Sequence, residues 1–148
     1  MSILIYEDNG IRFEYPADWE PELTDGGPRT TVAVQSPEGL AFALVTLDET
    51  CPPPAELADE ALEAMSEEYP DLEATPATEV IGGHRAVGHD LGFFSLDVFT
   101  SCAIRCFRTP RRTVLVFVQW SDLEGDDLAA QLVALRGSLN ETDAGDAG

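Results

Sequence analysis

The chain has 148 residues, 44% of them hydrophobic, and carries 28 acidic against 8 basic side chains, a formal net charge of −20. That describes one domain of common size, too rich in apolar residues for a disordered acidic chain. The charge argues against nucleic acid and anionic membrane as partners, because both are held by Lys and Arg. No apolar run approaches the roughly 20 residues that cross a bilayer, so no membrane insertion is expected.

Every basic residue is an arginine. A GC-rich genome or a high-salt cytoplasm produces such a composition; in the second case the carboxylates keep the protein hydrated. The opening Met-Ser-Ile-Leu-Ile-Tyr-Glu has no basic n-region, and its apolar stretch is short for a signal peptide. A cytoplasmic location is therefore expected. The odd cysteine count fits reduced thiols. Cys102 and Cys106 fall on one expected strand, about 13 Å apart at ~3.3 Å per residue, beyond the ~7 Å reach of a disulfide.

Ile3 to Tyr6 is a short apolar run, and Glu7-Asp8-Asn9-Gly10 carries the Asn-Gly signal of a hairpin. Ile11, Phe13 and Tyr15 alternate with Arg12 and Glu14, the period of a strand with one wet face. Pro16 to Pro21 makes a compact turn that offers Trp19 to the core, and Thr24 to Pro28 reads as a loop. Thr30 to Gln35 and Leu40 to Leu47 are expected strands, joined by Ser36-Pro37-Glu38-Gly39.

Pro52-Pro53-Pro54 opens a helix, since the first turn needs no amide donor. Leu57, Ala58, Ala61, Leu62, Met65 and Tyr69 give it one apolar stripe, and Pro70 ends it. A polar stretch rich in Ala, Thr and Pro follows. Gly82-Gly83 then reads as a turn needing positive φ.

His84 to Leu91, Leu96 to Phe107 and Thr113 to Trp120 are expected strands. The second places Leu96, Val98, Cys102, Ile104 and Cys106 on one face, with Phe99, Ala103 and Phe107 on the other. The third is apolar on both faces, which requires cover on both sides. Ser121-Asp-Leu-Glu124 is a capping-box pattern opening a last helix with Leu128, Leu132, Leu135 and Leu139 on one stripe.

The expected fold is α+β: a three-layer α/β/α sandwich whose mostly antiparallel sheet of about six to eight strands has helices on both faces. One domain covers residues 1–140, and residues 141–148 form a disordered acidic tail.

With that order in place, Gly10-Ile-Arg-Phe-Glu-Tyr-Pro-Ala-Asp-Trp19 resembles the opening of the PsbP/Mog-like superfamily. The likeness extends through the helix of Pro54 to Tyr69, the Ile-Gly-Gly-x-x-Ala turn of Ile81 to Ala86, and Ser138-Leu139. It implies an antiparallel sheet flanked by helices. It also implies binding roles rather than catalysis, as in the photosystem II extrinsic proteins, a Ran-binding transport factor, DcrB lipoproteins and Eag-type secretion chaperones. No residues match a Ran-contacting surface, and no motif selects the secretion chaperones.

The sequence offers no catalytic constellation. Cys102 and Cys106 with His84, His89 and Cys51 are the metal-type residues to weigh, but zinc thiolates converge on tight turns, not extended strands. His84 and His89 differ in parity and should face opposite ways. Cys51 has no histidine near it, and no Gly-x-Ser-x-Gly elbow or phosphate loop occurs. No metal, cofactor or enzymatic activity is expected.

Two charged features stand out. Arg105, Arg108, Arg111 and Arg112 cluster around one expected hairpin, where they either hold an anion or neutralise neighbouring acids. Glu60, Glu63 and Glu67 lie on the first helix, as a solvated face or a docking face for a basic partner. The reading is a non-catalytic cytoplasmic protein that binds another protein, with homodimerisation open. The alternative is a small-molecule or anion site between the sheet and the Trp19 turn, anchored by Arg105 or Arg112.

Overall fold

The computed structural model describes residues 2–37, 41–124 and 126–142. Strands β1 (Ile3–Asp8) and β2 (Ile11–Pro16) pair across Asn9 and Gly10, whose φ angles of 55° and 79° suit a type I′ hairpin turn. Pro16 then bends the chain, its carbonyl accepting a hydrogen bond from the Trp19 amide at 3.0 Å. Strands β3 (Glu20–Gly26) and β4 (Arg29–Gln35) follow, with Gly27 at φ 78° in the two-residue turn between them. Next come β5 (Phe42–Asp48), helix α1 (Pro54–Glu68), and β6 (Glu73–Ile81). The chain closes with β7 (His84–Ser95), β8 (Val98–Arg108), β9 (Thr113–Ser121), helix α2 (Asp126–Gly137) and β10 (Asn140–Glu141).

The main sheet has seven strands in the order β3-β4-β5-β9-β8-β7-β6, antiparallel at every pairing. A separate sheet of three strands has the order β1-β2-β10. The fold is an α+β sandwich. Helix α1 covers one face of the main sheet. On the other face α2 and the small sheet share the cover, so that layer is mixed rather than purely helical.

Alternation along the central strands decides which core each side chain joins. Cys102, Ile104 and Cys106 of β8 and Phe117 of β9 pack under Leu57 and Ala58 of α1. Ala103 and Phe107, with Val114, Val116 and Val118, pack instead with Leu132, Leu135 and Leu139. Ile11, Phe13, Tyr15 and Trp19 complete that second core. The expected two-sided burial is what the structure contains.

Several sequence expectations need correction. Residues 20–26 and 73–81 are strands, not loop or unassigned polar chain, and they form the two edges of the main sheet. Edge strands need one hydrogen-bonded neighbour and little burial, so they carry no apolar alternation, and each tolerates a proline, Pro21 or Pro76. The last helix does not open at Ser121: a 3₁₀ turn occupies Asp122–Glu124 and α2 starts at Asp126. Leu139 lies beyond α2 but still enters the core. Glu141 belongs to β10, paired with Ile11, so ordered chain runs past residue 140; residues 143–148 lie outside the described residues. The turn placed at Ser36 to Gly39 is described only in its first half, and Leu40, placed in the strand after it, lies outside the described residues.

One glycine is fixed by close approach. A Cβ on Gly88 would sit 1.8 Å from the Ile104 carbonyl oxygen on the neighbouring strand. Gly83 has φ 81° but open space around it. Gly88→Ala should therefore cost at least about 2 kcal/mol, because backbone cannot yield as a side chain can. Gly83→Ala should cost about 1 kcal/mol, the left-handed penalty alone. Urea unfolding of the two variants measures the difference.

Candidate functional site

The arginine group around the β8–β9 hairpin is divided by the strands that carry it. Arg105 is buried on the α2 face, donating from Nε to Glu79 at 2.7 Å and from Nη2 to Asp90 at 2.8 Å. Arg136 of α2 shares the same Glu79 at 3.1 Å, so this network ties α2 to β6, β7 and β8. Arg112 pairs with Glu141 at 3.1 Å and donates to the Asn9 carbonyl at 2.7 Å, fastening β10 and the first hairpin to the sheet. Arg108 at the end of β8 and Arg111 on the connecting turn are exposed. The structure therefore splits the four residues between internal ion pairs and an exposed turn.

Trp19 is 4% exposed and belongs to the core. The cleft beside its turn is lined by Asp18, Glu20 and Glu22 with Gln35 and Ser36, an acidic wall rather than an anion cradle. Glu60, Glu63 and Glu67 are exposed on α1, with Glu60 at 4.0 Å from Arg29.

The sulfur and imidazole groups do not converge. His84 stacks on Phe107 at 5.3 Å on the α2 face, whereas His89 reaches Asp59 of α1 at 3.0 Å, so the two histidines do face opposite ways. Among the described residues no group of three or more His, Cys, Asp or Glu side chains is placed to hold a metal ion. Cys102 and Cys106 are buried under α1, and burial pushes both thiols up to about 12. The Cys102 thiol donates to Gln119 Oε1 at 3.4 Å.

An apolar surface that the sequence reading did not single out lies at the far end of the sheet. It is built by the β7–β8 hairpin, the chain leaving α1, and the 3₁₀ turn after β9. Leu96 was expected on a buried strand face; it sits instead at the hairpin tip and is 96% exposed. Phe94 and Leu123 are each 71% exposed nearby. Phe94 stands edge-on to Phe99 at 5.3 Å, and Tyr69 stacks on Phe93 at 4.0 Å. Gly92 is the seat of Phe99: a Cβ there would meet the ring at 2.6 Å.

Two open clefts flank the tip, of about 430 and 330 Å³, and Tyr69 and Phe93 line both. Glu68, Asp71 and Glu73 rim the first. Asp97 adjoins Leu96 in the turn, and Asp122 adjoins Leu123. The available signal was the break in apolar alternation at Phe93-Phe94, where neighbouring rings on one strand must point to opposite faces.

The hairpin tip is also strained. Leu96 and Asp97 have φ of 51° and 65°, a pair of left-handed residues in a position that favours Asn-Gly, which the first hairpin uses. A leucine in that region costs roughly 1–2 kcal/mol. Its side chain recovers nothing by packing.

No protein-family model and no curated protein matches the sequence. Solved structures do match. Cyanobacterial PsbP (CyanoP) from Synechocystis sp. PCC 6803 is similar with a TM-score of 0.68 and 11% identity, covering 95% of this chain and 92% of that one. A protein from Bacteroides thetaiotaomicron VPI-5482 is similar at 0.59 and 12%, covering 92% of this chain and 46% of its own. LpqN, involved in cell envelope biogenesis of Mycobacterium tuberculosis, is similar at 0.52 and 13%, over 94% and 88%. At such identities the likeness establishes the fold. The chain has the PsbP-like fold that its short motifs implied.

Two outcomes follow from this geometry. Ellman's reagent at pH 8 should titrate Cys51 alone in the native protein and all three thiols in urea, because Cys102 and Cys106 are buried and protonated. Leu96→Gly should stabilise the protein by about 0.5–1 kcal/mol, since relief of the left-handed strain exceeds the entropy cost of glycine. Thermal unfolding should show it as a rise of about 2 °C in Tm.

Proposed function

We propose that this protein is a non-catalytic binding module whose work is to dock another protein. The observation that carries the reading is the exposed cluster of Phe94, Leu96 and Leu123 beside two clefts, on a chain of net charge −20. Large apolar side chains gathered beside clefts and rimmed by charge are the anatomy of an interface core and its rim. The fold supports this in a limited way, since its two cores are filled by aliphatic and aromatic side chains and leave the surface clefts as the places where a partner can enter. A basic partner fits the net charge of −20, with Glu60, Glu63 and Glu67 of α1 offered as a second acidic contact. The cytoplasm is the compartment we assign, on the free thiols.

None of the helices among the described residues is long and apolar enough to cross a membrane. The rival assignment, a small-molecule site anchored by Arg105 or Arg112, draws no support from side chains already paired with Glu79, Asp90 and Glu141.

The test compares retention with ligand screening. Affinity purification from the source cells should retain a partner on the wild-type chain and lose it on Leu96→Asp. A saturable thermal shift with a metabolite, and no retained protein, would instead establish the small-molecule assignment.

A further inference from the structure

Resting on the protein-binding reading, we propose that the two clefts near the Leu96 hairpin tip receive a cationic segment of a partner protein through two large apolar side chains, one in each cleft. The clefts share the stacked pair of Tyr69 and Phe93 as a common wall, so anchors entering both would straddle one aromatic ridge. Phe94 and Leu96 stand beside them with most of their surface open to water. A leucine held at φ 51° and packed against nothing is costly to the fold, and strain of this kind persists where a side chain is needed for function.

Charge selects the occupant. Glu68, Asp71 and Glu73 line one cleft, and none of the described residues lining either cleft is basic. Asp97 and Asp122 add negative charge next to Leu96 and Leu123. A second copy of this chain would bring the same carboxylates and another net charge of −20 against them. An anionic bilayer would be repelled in the same way. A segment with lysine or arginine around its apolar anchors is attracted on both counts.

Fluorescence anisotropy at about 0.15 M salt, with a labelled peptide of lysine and leucine, provides the test. One control peptide carries serine for leucine and another carries glutamate for lysine. The lysine–leucine peptide should bind saturably and both controls should fail. Leu96→Asp and Phe94→Ser should each weaken binding at least about tenfold, with unchanged circular dichroism. Leu96→Gly should weaken binding while raising Tm, a combination that mere damage to the fold does not produce. Glu68→Gln with Asp71→Asn and Glu73→Gln should weaken binding and flatten its salt dependence.

Absence of binding, equal binding to wild type and Leu96→Asp, or equal binding of the glutamate peptide overturns the proposal. Loss confined to Glu60→Gln, Glu63→Gln and Glu67→Gln moves docking to α1 and sinks this site while leaving the protein-binding reading intact. A concentration-dependent dimer, or uptake onto phosphatidylglycerol vesicles, that Leu96→Asp abolishes also overturns it.

Discussion

The structure depends on burying both faces of β8 and β9. Their successive side chains alternate between two separate cores, Ile104 and Phe117 toward α1, Ala103 and Val116 toward α2. A strand apolar on both faces cannot lie at a surface, so the rest of the chain has to supply two roofs. Helix α1 supplies one. The second is assembled from opposite ends of the chain, because α2 is too short to cover seven strands and β1, β2 and β10 fill the remainder.

That divided roof explains why the short motifs of the sequence occur together. Phe13 and Tyr15 come from β2, Trp19 from the turn after it, Ile81 from the end of β6, and Leu139 from beyond α2, yet all join one core. Polar joints hold them in register. The Glu14 amide donates to the Ser138 hydroxyl at 2.9 Å, and that hydroxyl donates to the Leu135 carbonyl at 2.6 Å. Gly82 passes so close to the chain after α2 that a Cβ would lie 2.9 Å from the Leu139 carbonyl oxygen. These motifs meet in one interface between the small sheet and the large one, while the α1 stripe packs on the opposite face. Their separation in sequence is a consequence of topology.

What was legible in the sequence is what burial dictates. Strands β2, β4, β5, β8 and β9 and the stripe of α1 show their periods because one or two faces are apolar. Strands β3 and β6 carry no legible apolar period because backbone pairing holds most of their length, with β6 reaching the core only at its last residue, Ile81. The tip at Leu96 was hidden for the opposite reason. Its leucine extends the apolar pattern of β8, although the chain there turns through two left-handed residues. Leu96 therefore reads as part of a strand face, since hydrophobic periodicity records the residue type and not where the strand ends.

The distribution of charge completes the functional argument. Arg29, Arg105, Arg112 and Arg136 all face carboxylates of the same chain, and three of them sit in or near the core. Breaking a buried pair leaves an uncompensated charge, so these arginines are committed to the fold. Most acidic side chains have no such commitment, for the chain holds 28 acids against 8 bases. The carboxylates outnumber the arginines that stay at the surface, Arg29, Arg85, Arg108 and Arg111 among them, so the outer surface is left negative. Apolar side chains exposed within such a field are shielded from other acidic surfaces and open to basic ones. The same imbalance sets Phe94 and Leu96 in a negative field, which favours cationic over anionic surfaces beside them.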